Sequence, residues 1–218
     1  PSIMNFHLEN SSINGFSNLK YIMLAGEQLP KQLVNKIKTI TSNCTIYNGY
    51  GPSETTIFST IRDVTNLDTI TIGKPIHNTQ IYILDSNFNL LPQGIPGEIY
   101  ISGDGVGKGY LNNDNLTLER YLNNPFIPNS IMYKTGDIGI WLKNGEIQCK
   151  GRSDSQIKLR GLRIELGEIE NKINSFNPSF DIKSAVIIKN TNGKDTLNAF
   201  ISSNSLIDIN ELEKYLLN

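Results

Sequence analysis

The sequence predicts a mixed chain, α/β at its start and α+β at its end, with a β-rich section between. Three observations carry this. A strand, a helix and a second strand follow one another within about 30 residues, the spacing of a βαβ unit. The apolar period then changes to 2 from about Arg62 to Gly151. From about Arg152 short strands and helices share the remainder.

Leu19–Gly26 is a short apolar run closed by glycine and reads as a buried strand. Pro30 opens a helix, because its missing N–H costs nothing in a first turn, and Leu33, Ile37 and Ile40 recur along it at helical spacing. Thr45-Ile46-Tyr47 is the next strand. In the middle section Gln80–Leu84, Glu98–Ile101 and Gly139–Leu142 are strands, and Leu91–Gly97 is a loop stiffened by two prolines. Asn144-Gly145 before Glu146–Cys149 signals a hairpin. This section is expected to form a small distorted barrel. Ile157–Ile164 then reads as two short strands broken at Gly161, and Glu168, Ile169, Ile173 and Phe176 as an amphipathic helix. Lys183–Ile188 and Leu197–Ile201 pair around Asn192-Gly193, and Asp208 with Glu211 starts a last helix by satisfying free N–H groups of its first turn.

Composition excludes several function classes. The 218 residues carry 20 Lys+Arg against 21 Asp+Glu, a balance that gives no electrostatic case for nucleic acid or an anionic membrane as partner. No apolar run approaches the roughly 20 residues that span a bilayer. Residues 1–7 have neither the basic nor the long apolar region of a signal peptide. Cys44 and Cys149 stand far apart, outside any Cys-x-x-Cys, which argues against a disulfide scaffold or zinc site and fits a reducing, cytoplasmic setting. The chain opens on Pro1 and stops inside an apolar-periodic segment, so a piece of a longer polypeptide is expected.

Four segments offer chemistry. Gly49-Tyr50-Gly51-Pro52-Ser53-Glu54 reads as a tight turn after a strand, and its glycines permit close backbone approach to a ligand. Tyr50 suits stacking on a base, Ser53 a phosphate oxygen, and Glu54 a Mg²⁺ ion, which prefers one or two carboxylates plus phosphates. Gly103–Gly109 resembles a phosphate loop but fails as one, since Lys108 is followed by Gly109 where Ser or Thr is needed. Asp137, in a turn after a short strand, could accept both hydroxyls of a ribose. Gly151–Glu165 alternates charged and apolar residues. His7 and His77 have no carboxylate or cysteine partner nearby in sequence, so a histidine-based nucleophilic triad is unsupported. Singly, each segment also reads as an ordinary turn or solvated strand.

Their order changes the reading. Asn48–Glu54 resembles the Asn-x-Tyr-Gly-Pro-Thr-Glu motif of adenylate-forming enzymes. Gly97–Ile101 through Gly105–Leu111 resembles their Gly-Glu-Leu…Gly-Val-Ala-Arg-Gly-Tyr-Leu stretch, and Tyr133–Asp137 matches Tyr-Lys-Thr-Gly-Asp. Gly151–Glu170 matches Gly-Arg-x-Asp-x-Gln-Val-Lys-Ile-Arg-Gly-x-Arg-Ile-Glu-Leu-Gly-Glu-Ile-Glu almost letter for letter, a form most similar to the adenylation domains of nonribosomal peptide synthetases. The resemblance implies three parts: residues 1–62 as the end of a large α/β subdomain, 63–151 as a barrel-like subdomain, and 152–218 as the start of a small mobile one. It implies ATP and Mg²⁺ as cofactors, AMP as a product, an amino-acid substrate, and a phosphopantetheine thiol on a carrier domain as acceptor, with neighbouring synthetase modules as partners.

By the same resemblance, Tyr50 stacks adenine, Ser53 contacts the α-phosphate and Glu54 binds Mg²⁺. Gly26, Glu27 and Gln28 lie along the adenine, with Asn48 and Gly51 in the nucleotide turn. Asp137 holds the ribose beside Arg152. Asp154 lies near a hinge, a role that some relatives give to a residue nearer Lys158, and Gly161 faces the nucleotide or the pantetheine arm. Met23, Ala25, Gly49, Ile57 and Phe58 line the substrate pocket, mostly apolar and so favouring an uncharged side chain. The family's Ser/Thr/Gly-rich phosphate loop and the Asp that holds the substrate amine belong upstream of Pro1, and its closing catalytic Lys beyond Asn218. Asn192-Gly193-Lys194-Asp195 mimics that closing motif but comes too soon after Glu170. Cys149 replaces an aromatic residue common in the family. The isolated chain is therefore expected to be inactive. An acyl-CoA ligase of the same superfamily, or a non-catalytic remnant that binds a nucleotide or partner, are the alternatives.

Overall fold

The computed structural model describes residues 1–10, 16, 18–41, 43–154, 156–159, 162–191 and 194–217, with the side chains of Asn10, Lys158, Arg163, Thr191 and Lys194 outside that description. The chain divides into two compact units, Pro1–Ser153 and Asp154–Asn218. Among the described residues no helix is long and apolar enough to cross a membrane.

The first unit opens with helix α1 (Ser2–Asn10), strand β1 (Tyr21–Leu24), helix α2 (Lys31–Ile40) and strand β2 (Thr45–Tyr50). Pro30 is the N-cap of α2, and Leu33, Val34 and Ile37 form its buried stripe. β1 and β2 pair in parallel, as a βαβ unit requires. Strands β3 (Thr60–Asp63) and β4 (Lys74–Pro75) extend this sheet antiparallel. Ile22, Leu24 and Ile46 from the strands pack with the α2 stripe and Leu8 of α1 in one apolar core.

The middle section is a curled antiparallel sheet. It comprises β5 (Thr79–Leu84), β6 (Gly97–Gly103), β7 (Tyr121–Asn123), β8 (Ile131–Trp141) and β9 (Ile147–Arg152), with helix α3 (Asp114–Arg120) before β7. The order is β5-β6-β8-β7, with β9 also on β8. Ile81, Ile83, Ile99, Ile101 and Ile147 alternate inward and pack with Ile72 and Tyr50. The sheets are tied together. Ile72 N–H donates to Ile147 O at 2.9 Å and Ile147 N–H to Gly73 O at 2.7 Å. Buried Glu146 accepts from Thr71 Oγ1 at 2.9 Å and meets Arg62 Nε at 2.7 Å, an ion pair rather than an aligned hydrogen bond.

In the second unit, β10 (Gln156–Leu159) and β11 (Leu162–Glu165) pair antiparallel, followed by helix α4 (Leu166–Asn174). β12 (Lys183–Thr191) and β13 (Lys194–Ser202) form a long hairpin, and helix α5 (Ile209–Leu216) follows. Ile173, Ile182 and Val186 make its core. Asp208 caps α5, its Oδ1 accepting from Asn210 N at 2.8 Å and Glu211 N at 3.4 Å. The predicted turn at Asn192-Gly193 and the break at Gly161 lie outside the described residues. The observed class is the mixed α/β and α+β one read from the sequence.

Two local readings differ from the structure, and two helices were not read at all. Gly49 and Tyr50 belong to β2, so the turn starts only at Gly51. Tyr133–Asp137 lies inside one long strand, not in a turn after a short one. The strand nevertheless bulges there: Glu98 pairs Ile138 and Tyr100 pairs Lys134, so Ile99 alone stands opposite residues 135–137. Gly136 takes φ +76 in this bulge. Thr135 Oγ1 donates to Ile99 O at 2.7 Å and accepts from Asp137 N at 3.0 Å, which satisfies polar groups the ladder has lost. Finally, α1 and α3 were not read from the sequence. No residue of α3 is buried, so it carries no apolar stripe, and its signal is the cap: Asn113 Oδ1 accepts from Leu116 N at 3.1 Å.

After the 3₁₀ turn Ser53–Thr55, Thr56 (φ +61) and Ile57 (φ +68) are both left-handed. A β-branched residue is strained there, and Ile57 is 65% exposed, so little burial offsets the cost. Ile57→Gly is expected to stabilise the first unit by about 0.5–1 kcal/mol after the extra chain entropy of glycine. Urea unfolding checks this, and an unchanged or lower midpoint would count against strain at this position.

Candidate functional site

Two carboxylates organise the site. Asp137 stands on the bulge of β8, directly opposite Arg152 on β9. Arg152 Nη1 donates to Asp137 Oδ1 at 2.8 Å and Nη2 to Thr135 O at 3.1 Å. Tyr50, at the end of β2 and 87 residues away in sequence, donates its hydroxyl to Asp137 Oδ2 at 2.7 Å. Tyr50 and Asp137 are both buried. Burial, and then the Asp137 charge, push the Tyr50 hydroxyl well above the usual tyrosine range, so Tyr50 remains a neutral donor. The bulge places a carboxylate, a guanidinium and an aromatic ring together, and these three residues come from two of the motifs read in the sequence and the edge of a third.

Glu54 sits in the 3₁₀ turn after Pro52. Its Oε1 accepts from Tyr110 at 2.7 Å and from Tyr133 at 2.8 Å, and the two tyrosine oxygens are 3.1 Å apart. Burial, together with these polar neighbours, raises the Tyr110 hydroxyl far above its ordinary range. Behind the turn runs the glycine-rich stretch after β6. Gly107 N donates to Glu54 O at 2.8 Å and Thr56 Oγ1 to Gly105 O at 2.7 Å. A Cβ on Gly105 would lie 2.9 Å from Thr55 O. These glycines therefore serve close backbone packing against the Glu54 turn.

The remaining predicted residues fall as follows. Ser53 is exposed beside Glu54. Asn48 is buried and donates Nδ2 to Thr71 O at 2.8 Å, so its amide braces the sheet beneath the turn. Met23, Gly49 and Phe58 come together: a Cβ on Gly49 would lie 2.7 Å from the Phe58 ring and 3.3 Å from Met23 Sδ. Ala25 is half-buried just past β1, and Ile57 is exposed. Gly26 (φ +82) and exposed Gln28 flank Glu27, whose Oε2 accepts from Ser2 N at 2.9 Å. In the second unit Asp154 is exposed and its Oδ1 accepts from Gln156 N at 3.2 Å. The Lys158 side chain and Gly161 lie outside the described residues.

Sequence reasoning missed Tyr110 and Tyr133 as members of the site. Both stand within quoted motif stretches, but nothing in their spacing links them to Glu54, and only the fold turns both hydroxyls onto it. Among the described residues no three His, Cys, Asp or Glu gather as a metal cage. A single ordered carboxylate instead suits Mg²⁺, which keeps waters and phosphate oxygens as its other ligands. Asp137, Arg152 and the Tyr50 ring likewise form a donor and acceptor set that fits a nucleoside.

The sequence model of the AMP-binding enzyme family matches residues 1–111. Gramicidin S synthase 2 of Aneurinibacillus migulanus is 41% identical over 219 residues, covering 99% of this chain and 5% of that protein. The structure of PA1221, a nonribosomal peptide synthetase protein containing adenylation and PCP domains, superposes with a TM-score of 0.80 at 26% identity, covering 94% of this chain and 42% of that one. Holo-AB3403, a four-domain nonribosomal peptide synthetase bound to AMP and glycine, superposes at 0.64 with 33% identity, covering 99% of this chain and 16% of that one. The chain thus spans less than half the length of each of these relatives. On its motifs, its fold and these likenesses, the chain belongs to the AMP-binding enzyme family, as an adenylation-domain segment of the nonribosomal peptide synthetase kind.

Proposed function

We propose that these residues are part of an ATP-dependent amino-acid-activating ligase. It joins an amino acid to AMP with release of pyrophosphate, then transfers the aminoacyl group to the phosphopantetheine thiol of a carrier domain. The observation that carries this reading is Asp137 held between Tyr50 and Arg152 by bonds of 2.7 and 2.8 Å. The AMP and glycine bound by AB3403 and the PCP domain of PA1221 support it.

In this reading residues 1–62 complete the large subdomain, 63–151 form the barrel-like one and 152–218 begin the mobile one. Asp137 accepts the ribose hydroxyls, and Arg152 orients its carboxylate. Tyr50 offers a ring face to adenine while its hydroxyl fixes the ring's tilt. Gly26, Glu27 and Gln28 border the base, and Asn48 and Gly51 shape the turn. Ser53 donates to the α-phosphate. Glu54 holds Mg²⁺, which when bound neutralises phosphate charge during attack by the substrate carboxylate. Met23, Ala25, Gly49, Ile57 and Phe58 face the amino-acid side chain. Asp154 and Lys158 belong to the hinge, and Gly161 to the loop that faces the nucleotide or pantetheine arm. Catalysis is positioning plus electrostatic stabilisation.

In this reading the Ser/Thr/Gly-rich phosphate loop and the closing catalytic Lys belong outside these 218 residues. Amino-acid-dependent ATP–pyrophosphate exchange is therefore expected from the full synthetase and not from these 218 residues alone. Exchange by the isolated chain would refute its dependence on those parts, and no exchange by the full protein with any amino acid would refute the ligase reading.

A further inference from the structure

We infer that Tyr110 and Tyr133 are positioning residues for Glu54: their converging hydroxyls hold its carboxylate in the orientation in which it takes a divalent cation carrying nucleotide phosphates. The inference rests on the proposed role of Glu54 as a Mg²⁺ ligand.

The two hydroxyls reach Glu54 Oε1 from residues 56 and 79 positions away in sequence, at 2.7 and 2.8 Å. Each is itself fixed. Tyr133 is fully buried on β8. The backbone of Tyr110 is fixed by its N–H, which donates to Thr117 Oγ1 on α3 at 2.8 Å. The Tyr121 ring stands edge-on to both, 5.5 Å from Tyr110 and 5.2 Å from Tyr133. Three tyrosines thus brace one another, and α3, which buries none of its own residues, anchors the brace through Thr117. The backbone of Glu54 is held too, its carbonyl accepting from Gly107 N at 2.8 Å.

Glu54 is half-buried, and without the two hydroxyls its carboxylate would lose rotamer entropy on binding a cation. Here that freedom is already removed. Partners that orient a metal's ligand typically change affinity by 10–100-fold. A purely structural role for the pair would show in stability and leave cation affinity unmoved.

The test uses the full synthetase with Tyr110→Phe, Tyr133→Phe and Glu54→Gln. Mn²⁺ binding is followed by electron paramagnetic resonance with a non-hydrolysable ATP analogue. The Mg²⁺ dependence of pyrophosphate exchange and thermal unfolding are measured alongside. Each Phe variant is expected to bind Mn²⁺ about tenfold more weakly and to need about tenfold more Mg²⁺ for half-maximal rate. The melting temperature falls in each Phe variant, because a hydrogen bond to a carboxylate is lost, and Glu54→Gln loses nucleotide-linked Mn²⁺ binding. If Tyr133→Phe unfolds, Tyr110→Phe decides alone, because its ring keeps the contact with Tyr121. Wild-type Mn²⁺ affinity in Tyr110→Phe, with Glu54→Gln defective, overturns this inference and leaves the proposed function standing. A wild-type protein with neither Mn²⁺ binding nor exchange overturns both.

Discussion

Replacing Asp137 by alanine is expected to destabilise the first unit by about 3–5 kcal/mol, because it leaves a buried guanidinium uncompensated. The side chains of Asp137 and Arg152 are only 9% and 13% exposed, so solvent does little to relieve the stranded charge. The Tyr50 hydroxyl loses its acceptor at the same time. Asp137→Asn should cost less, since the amide oxygen can still accept one of the two bonds. Nucleotide affinity in the full synthetase should fall by about tenfold or more in both variants, the scale of one lost charged hydrogen bond. A double-mutant cycle with Arg152→Met, followed by urea unfolding, isolates the pair. If Asp137→Ala costs the same with and without Arg152, the charge pair is not what holds this carboxylate.

Gly51→Ala is the second large effect. A Cβ there would lie 2.6 Å from Ile57 O and 2.7 Å from Ser59 N. Both contacts are to backbone, so no side chain can swing away. Ser59 N donates to Tyr50 O at 2.8 Å, and this bond closes the turn that carries Ser53 and Glu54. The methyl group must open it, with an expected loss of about 1–3 kcal/mol, as for overpacking in a tight core. In the full protein the displacement should abolish most pyrophosphate exchange, because Ser53 and Glu54 are shifted together with the whole turn. Gly94→Ala is the control: it meets nothing within 4 Å and carries only the cost of its φ of +83. Equal stability and activity of the two variants would show that close approach at Gly51 is not required.

Much of this fold was legible because its signals are local. The helix behind Pro30, the alternating isoleucines of β5 and β6, the turn at Asn144-Gly145 and the cap at Asp208 each depend on a few neighbouring residues. α3 was not legible, because it buries no residue and so leaves no periodic stripe. β8 was read as two pieces because Gly136 and Asp137 break its alternation, and the bonds that rescue the bulge come from Ile99 and Glu98 on another strand.

The same division runs through the candidate site. By itself the sequence determined the residue types, their order along the chain and the family to which they belong, since motif letters and spacing are properties of one dimension. Only the tertiary structure decided that Tyr50 shares Asp137 with Arg152, that Tyr110 and Tyr133 meet on Glu54, and that Gly107 packs against the Glu54 turn. Those partners are brought together by sheet pairing and core burial, which act between residues far apart in the chain and leave no mark in the spacing of either one.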